Sequence, residues 1–339
     1  MRLTLFAATA ASLLLIAASD AAAQPQPPLP PPPPAPPLRL ARLYQGRRAA
    51  EQSDRLSRRI RLGRDGRVSI SNISGDIVVS AGGGDEVAID AVKHGDRGSL
   101  DRVRIVIDDR PGRVDISTES DTVFRNNNNV SVDYTVTVPD NAALDLKSIS
   151  GNVKVSGVKG SVRAQSISGN VSTSNAPRVE WARTVSGNVD LAGVSHDGDL
   201  ELQSISGGVH VTGVKARSLN ANTVSGDIRL ASASIERVNA RSVSGGFEYS
   251  GTLARNGRYE VTSHSGDVRF TLSDSVGFEL NASSFSGSVR SDYAGSTTVG
   301  GGRRGRGFRR ESTVESTVGD GSAKLELRTF SGSIVISRR

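Results

Sequence analysis

The chain has 339 residues, of which 36% are hydrophobic and only 4% aromatic, with 37 glycines, 13 prolines and no cysteine. So few aromatic residues do not suit a large enzyme core, whereas abundant glycine suits many short strands and turns. The formal net charge is +7, but the basic residues concentrate in arms and loops. No nucleic-acid partner is indicated, since such a partner needs a basic face along the folded surface.

Residues 1–23 have the layout of a secretory signal peptide. Arg2 precedes an apolar stretch from Leu3 to Ala18, and three alanines at 21–23 form a small-residue cleavage site. The apolar run is shorter than the roughly 20 residues of a membrane span, which favours cleavage over an uncleaved anchor. The sequence therefore predicts an exported protein of the periplasm or cell surface, with no transmembrane span after signal cleavage.

Two segments precede the main domain. Ten of the 13 prolines lie in residues 24–37, which predicts an extended polyproline II linker of roughly 40 Å. A spacer is the main interpretation, and a ligand for a proline-binding domain is the alternative. Residues 38–67 hold ten arginines against three carboxylates and are predicted to form a basic N-terminal segment and cap. Solvated tails and contact with an anionic surface both fit this segment.

One motif recurs through residues 68–339: an apolar residue, Ser-Gly, a polar residue and another apolar residue. His264 replaces the first apolar residue in one copy, and we interpret it as a packed corner residue. Most intervals between the glycines are 18 to 21 residues, but the first is 76 and the last 45. The motif glycines are Gly75, Gly151, Gly169, Gly187, Gly207, Gly226, Gly245, Gly266, Gly287 and Gly332.

Apolar and polar residues alternate on both sides of each Ser-Gly pair, which predicts two short strands joined at a corner. Such coils bury an apolar interior only by stacking, at roughly 4.8 Å per coil. The predicted fold class is therefore all-β, a β-solenoid of about 13 stacked two-strand coils with Ser-Gly corners. This count treats the 76-residue interval as four coils. The strands within that interval are expected to form either wider coils or hairpins with longer loops.

Two details of the coils are also predicted. A hydroxyl three residues before the glycine is expected to point inward and satisfy corner backbone groups, as in Ser148, Thr184, Ser204, Thr223 and Ser242. The last copy lies almost at the C-terminus, so only residues 337–339 are expected to protect that exposed end of the stack.

The Ser-Gly copies, together with the closing segment from Ala323 to Gly332, resemble the bacterial β-strand-repeat family called "putative adhesin", a domain of unknown function. The resemblance covers roughly residues 66–337. It implies an extracytoplasmic β-solenoid, and it brings no catalytic residue to this chain.

No catalytic, cofactor-binding or metal site is predicted. The chain lacks cysteine and its four histidines are scattered, and the repeated serines lack a nucleophile elbow. Adjacent strand residues point to opposite faces, and a glycine-flanked aspartate pair is typical of a turn, which argues against a glycosidase pair at either place. Two carboxylates from adjacent coils are the alternative. The carboxylate pairs considered are Asp108 with Asp109 and Asp197 with Asp199. Three corner residues are aspartates: Asp76, Asp227 and Asp267. We interpret them as residues that favour a turn, and calcium binding between them is the alternative.

A loop at 294–322 carries glycines, five arginines and one phenylalanine. Guanidinium groups bind phosphates or carboxylates through paired hydrogen bonds, so the loop is the predicted site for an anionic partner. A disordered insertion is the alternative. The loop arginines are Arg303, Arg304, Arg306, Arg309 and Arg310.

These features together predict an exported, non-catalytic β-solenoid that binds or scaffolds cell-envelope or surface components. The expected partners are an anionic envelope component, a glycan or a surface protein. One alternative is a self-assembling envelope element whose terminal coils pair end to end. The other is a polysaccharide-active enzyme.

Overall fold

The computed structural model describes residues 52–120, 130–273, 277–293, 297–300 and 312–339, with only the backbone for Arg97, His196 and 297–300. These residues form 25 β-strands and one four-residue helix, so the described chain is all-β as predicted. The predicted signal peptide, the linker, residues 38–51 and the five loop arginines lie outside the described residues. Within the described ranges, no helix has the length and hydropathy of a membrane span.

Most strands of the repeats end at the serine before a corner glycine or begin two residues after it. The N-terminal elements are β1 (Gln52–Arg61), β2 (Arg67–Ser74), β3 (Ile77–Gly82), β4 (Glu86–Gly95), α1 (Arg97–Leu100), β5 (Val103–Arg110), β6 (Arg113–Ser120) and β7 (Ser131–Pro139). The central strands are β8 (Ala143–Ser150), β9 (Val153–Ser156), β10 (Val162–Ser168), β11 (Val171–Ser174), β12 (Val179–Ser186), β13 (Val189–Ala192), β14 (Ser195–Ser206), β15 (Val209–Thr212), β16 (Lys215–Ser225), β17 (Ile228–Ser244) and β18 (Phe247–Ser265). The C-terminal strands are β19 (Val268–Leu272), β20 (Phe278–Ser284), β21 (Val289–Ser291), β22 (Thr297–Gly300), β23 (Ser312–Val318), β24 (Ala323–Ser331) and β25 (Ile334–Arg338).

Each Ser-Gly corner joins two faces of one continuous sheet. The strand that enters the corner lies on face 1, the strand that leaves it lies on face 2, and equivalent strands of neighbouring coils pair in parallel. The strand order along face 1 is β5, β6, β2, β8, β10, β12, β14, β16, β17, β18, β24, β20, β23, β22. The order along face 2 is β1, β4, β7, β3, β9, β11, β13, β15, β17, β18, β19, β25, β21.

The interior between the faces is filled mainly by aliphatic side chains. Face 1 contributes the residue five before each corner glycine, such as Ala182, and face 2 contributes the residue two after it, such as Val189; both are fully buried. The return turn adds a third buried residue, such as Val194. Each coil therefore closes on an apolar centre that it shares with its neighbours, as expected for stacked repeats.

A β-bulge explains the one acidic residue in the apolar column seven positions before the corner glycines. Strands β10 and β12 pair Val162 with Val179 and Arg163 with Trp181, so β12 carries one extra residue. The bulge turns Glu180 outward to an ion pair with Arg163, while Val179 is buried in the column.

The predicted inward hydroxyls donate to corner carbonyls in every described repeat with a hydroxyl at this position except that of Ser148. Thr184 Oγ1 donates to the Gly169 carbonyl at 2.8 Å, and Ser204 Oγ donates to the Gly187 carbonyl at 2.9 Å. Each hydroxyl thus satisfies the corner carbonyl of the neighbouring coil. The Ser148 hydroxyl has no hydrogen-bond partner among the described residues. The Gly75 carbonyl beside it instead accepts from Asn72 Nδ2 of its own coil at 2.9 Å.

The last repeat does not form the end of the stack, contrary to the expectation from the sequence. Strand β24 pairs with β18 on one side and β20 on the other, and β25 lies between β19 and β21. The Gly266 amide donates to the Ser331 carbonyl at 3.0 Å, which fixes this order at the corner. The Gly287 repeat is therefore the terminal one, and antiparallel β23 covers its face 1 strand.

The predicted number of about 13 coils is not confirmed. Ten Ser-Gly corners stack in the order of the chain, except that Gly332 lies between Gly266 and Gly287. The 76-residue interval contains two hairpin-like antiparallel pairings, β4 with β7 and β5 with β6. Strand β4 also pairs antiparallel with β1, which precedes the interval. The sequence predicts either wider coils or hairpins for this interval, and the structure shows hairpins. Only β6, which pairs with β2, and β7, which pairs with β3, continue the parallel pairing of the coils.

Candidate binding surface

The residue two before each corner glycine points out of the solenoid, although it is apolar in nine of ten repeats. The nine apolar residues are 36% to 51% exposed, and the tenth, His264, is exposed as well. We call this row the corner ladder. In stacking order it comprises Ile73, Ile149, Ile167, Val185, Ile205, Val224, Val243, His264, Phe330 and Phe285.

Strand alternation places the corner ladder outside. The positions three, five and seven before the glycine point inward, so the positions two, four and six before it point outward. In β8, for example, Leu146 and Ser148 are buried while Lys147 and Ile149 are exposed. Because neighbouring coils lie about 4.8 Å apart, ten ladder residues form a row of about 43 Å.

Aromatic rings form the C-terminal end of the corner ladder. The His264 ring stacks on Phe330 with 5.0 Å between centroids, and Phe330 stacks on Phe285 with 4.8 Å. The prediction of a packed corner residue at His264 therefore needs correction, because the imidazole is exposed and its packing is along the outer edge. An isolated apolar residue on a surface is ordinary, but a continuous apolar row is typical of an interaction site.

The row next to the corner ladder, four residues before each glycine, has four cations and no carboxylate. We call these four side chains the cation row. They are Lys147, Arg183, Arg241 and Arg328. Lys147 and Arg183 also pair with carboxylates of the next outward row, at 3.7 Å to Asp145 and 2.7 Å to Glu201. Arg183 in addition lies 5.1 Å from the centre of the Trp181 ring, within cation–π distance.

The corner aspartates are engaged by the protein itself, which argues against calcium there. Asp76 Oδ1 accepts the Asn152 amide at 2.8 Å. Asp227 accepts the Gly246 amide at 2.8 Å and Arg229 at 2.6 Å, and Asp267 makes equivalent contacts. No cluster of three or more histidines or carboxylates suited to a metal occurs in the part of the chain that the structure describes.

The two carboxylate pairs named for glycan cleavage both lie on strands, Asp108 and Asp109 on β5 and Asp197 and Asp199 on β14. Asp108 is half-buried in β5, where it forms an ion pair with Arg110, whereas its neighbour Asp109 is exposed. Asp197 and Asp199 are both exposed, and the pairing of β14 with β16 skips a residue between His196 and Asp199.

The predicted anionic-partner site, Arg303 to Arg310, lies outside the described residues. The position of this loop relative to the corner ladder is therefore not described. The sequence analysis does not predict the corner ladder, because the motif by itself does not distinguish an outward apolar residue before Ser-Gly from an inward one. The signal was present in the alternation: this residue has the same strand parity as the polar positions four and six before the glycine.

One comparison, with protein-family models, identifies the family of this chain. The family model described as Toastrack DUF4097 matches residues 66–337. No curated protein matches the sequence. Among solved structures, a "putative adhesin" from Bacteroides fragilis is 12% identical, covers 84% of this chain and 97% of its own, and has a TM-score of 0.41.

Two further solved structures are similar at the same low level. A "putative cell adhesion protein" from Clostridium sporogenes is 10% identical and covers 85% of this chain and all of its own, at a TM-score of 0.23. A "putative lipid binding protein" from Parabacteroides distasonis is 14% identical and covers 65% of this chain and 90% of its own, at 0.36. None of these scores supports an argument about function. Because the family model spans every Ser-Gly corner of the stack, the chain belongs to the Toastrack DUF4097 family, a domain of unknown function.

Proposed function

We propose that the protein is an exported, non-catalytic β-solenoid that binds or scaffolds components of the cell envelope or cell surface. The observation that carries the proposal is the corner ladder, in which ten successive coils present a side chain of similar position to solvent. Contiguous exposed apolar surface of this kind is rare on proteins that have no partner.

The solenoid makes the ladder suited to an extended partner. The ladder residues are held by strands whose backbone pairs on both sides, as β10 pairs with β8 and β12. A rigid row of weak contacts gains affinity through avidity, since every contact after the first is intramolecular. The loop arginines 303–310, if they contact the same partner, add an attraction that salt weakens.

The test is co-sedimentation of the chain from Gln24 onward with purified cell-envelope fractions across a salt series. A ladder variant carries threonine at five exposed positions, which keeps strand propensity while removing apolar surface. A loop variant carries serine at the five loop arginines. The ladder substitutions are at Ile149, Ile167, Val185, Ile205 and Val224.

We expect the chain to bind and the ladder variant to bind at least about tenfold more weakly. The loop variant is expected to lose only the salt-sensitive part of the binding. Absence of binding by the unaltered chain at every salt concentration contradicts the proposal. Equal binding by the chain and the ladder variant shows that the corner ladder is not the surface involved.

A further inference from the structure

We propose that the partner of the corner ladder and the cation row is the surface of an anionic lipid bilayer. The corner ladder contacts the boundary of the acyl chains, while the cation row contacts headgroup phosphates. This inference rests on the proposed function and names the chemistry of its partner. It is argued from the shape of the edge and from the charges on either side of it.

The shape of the edge favours a soft, flat partner over a folded one. The ladder lies on the outer side of a corner, one side chain wide and about 43 Å long. A folded protein would need a groove of the same length and repeat to bury it. A bilayer interface accommodates a line of apolar side chains without such a groove, as it does for the apolar face of an interfacial helix.

The charges beside the ladder are ordered by their distance from it. The adjacent outward row holds the four cations and otherwise only polar residues, and carboxylates appear one row further away. Arg241 and Arg328 are exposed and have no ion pair among the described residues. The adjacent row is Ser71, Lys147, Gln165, Arg183, Gln203, Asn222, Arg241, Thr262, Arg328 and Ser283.

The other side of the ladder carries no free carboxylate near the corner. A serine precedes every corner glycine, and these serines are exposed or half-buried. Beyond the glycines, the three aspartates already accept backbone amides, and two of them also pair with arginine. Cations, hydroxyls and apolar side chains therefore face outward together, which is complementary to an anionic headgroup layer.

The same charges disfavour a second copy of this chain as the occupant. Two ladders packed side by side would bring the cation rows of both copies close to one apolar seam, and like charges near a desolvated contact are unfavourable. We therefore treat self-association as an outcome that the experiment must detect.

The experiment measures binding of the chain from Gln24 onward to unilamellar vesicles. One set contains phosphatidylcholine alone and the other contains equal parts of phosphatidylcholine and phosphatidylglycerol. Three variants are compared: the ladder variant, a cation-row variant and a charge-matched control on face 2. The cation-row variant has glutamine at Lys147, Arg183, Arg241 and Arg328. The control has glutamine at four exposed cations of face 2, Lys154, Arg229, Arg269 and Arg290.

All variants keep residues 24–67 and the loop arginines, so attraction through those segments is common to them. We expect the unaltered chain to bind the anionic vesicles, and the ladder and cation-row variants to bind at least about tenfold more weakly. The face 2 control is expected to stay within about twofold, because its cations lie away from the ladder. Circular dichroism confirms that each variant retains its strands.

Three outcomes overturn the inference. The first is unchanged vesicle binding by the ladder variant. The second is an equal loss for the cation-row variant and the face 2 control, since this indicates net charge alone. The third is self-association of the unaltered chain, seen by sedimentation velocity and abolished in the ladder variant. Binding to envelope fractions without binding to vesicles overturns the lipid inference and leaves the proposed function standing.

Discussion

At the scale of single residues, the corner is held by two kinds of side chain that each serve the neighbouring coil. The inward hydroxyls donate to corner carbonyls, as Thr184 does to Gly169. The residue after the glycine accepts a backbone amide, as Asn170 Oδ1 does from Asn188 at 2.8 Å. Both contacts provide hydrogen-bond partners for backbone groups at the turn, which strand pairing leaves without them. Every coil has such a turn, so the residues that supply these partners recur in every coil.

Replacing Thr184 with valine should lower the free energy of unfolding by about 1 kcal/mol, because the half-buried Gly169 carbonyl loses its donor. Thr173 provides a matched control. Both side chains are 3% exposed, but the Thr173 hydroxyl has no hydrogen-bond partner among the described residues. Thr173→Val should therefore be neutral or stabilising. Urea unfolding of the two variants checks this, and equal losses would contradict the role of the hydroxyl.

Replacing Gly187 with alanine should destabilise the protein by more than about 2 kcal/mol. Gly187 has a φ of +149°, and an added Cβ would lie 2.3 Å from the Gly169 carbonyl oxygen of the neighbouring coil. Gly83 is the control, since an added Cβ there meets no atom within 4 Å, and its replacement should change stability by less than about 0.5 kcal/mol. Denaturant midpoints measure both. A similar small effect at both sites would argue against close stacking of the corners.

At the scale of elements, the main feature is the position of the C-terminal repeat. Strands β24 and β25 separate the Gly266 and Gly287 repeats, which are consecutive in the chain. The chain therefore completes the stack by inserting its last strands between two earlier ones. Their buried side chains, such as Leu327 and Ile336, lie in the interior of the stack.

Engineered disulfides test this order directly, because the chain has no cysteine of its own. Thr262 and Ser283 are both direct register partners of Arg328. Cysteines at 262 and 328, or at 283 and 328, should form a disulfide on oxidation, since adjacent parallel strands lie within its Cα span. Cysteines at 262 and 283 should not, because they lie two coils, or about 9.6 Å, apart. Mass spectrometry under non-reducing conditions distinguishes the pairs. A stack in chain order would instead link 262 with 283 and leave 262 and 328 unlinked, whereas the 283–328 pair would form in either order.

At the scale of the whole molecule, the interior changes character along its length. The central coils are filled with small aliphatic side chains, whereas Phe247, Tyr249 and Phe270 pack together in the C-terminal coils, with 5.2 Å between the rings of Tyr249 and Phe270. The buried tyrosines donate hydrogen bonds to backbone carbonyls, Tyr249 to Thr252 and Tyr259 to Ile235, each at 2.7 Å. Burial raises the pKa of both phenols.

The protein should lose stability as the pH rises above 10. Burial raises the pKa of Tyr134 from 10.0 to about 12, so the unfolded chain releases this proton at a lower pH than the folded chain. A group whose pKa is raised on folding stabilises fully below its unfolded pKa, and the contribution is lost between 10.0 and about 12. Tyr249 and Tyr259 act in the same direction.

Urea unfolding at pH values below and above 10 measures this loss, and tyrosinate absorbance follows the ionisation. Tyr249→Phe should lower stability at neutral pH, since a hydrogen bond is lost, but should also reduce the decline at alkaline pH. Ionisation of all the tyrosines near pH 10 in the folded protein would contradict the burial of these phenols.

Much of the fold could be predicted from the sequence, because each repeat depends on local patterns of strand alternation and turn residues. The inward columns at Ala182 and Val189, the Ser-Gly corners and the inward hydroxyl of Thr184 all follow from strand alternation and turn chemistry. The candidate site was harder to predict. The corner ladder lies in the same motif, yet only its strand parity distinguishes an exposed isoleucine such as Ile149 from a buried one.

The sequence by itself determined the strand and corner of each coil, because alternation and the glycine turn act over a few residues. Only the tertiary structure decided which coil lies beside which. Every repeat carries nearly the same motif, so any copy is locally suited to pair with any other, and the choice depends on contacts between distant segments. That choice placed β24 between β18 and β20 and folded the 76-residue interval into antiparallel pairs. The same stacking aligned ten separate side chains into one exposed row.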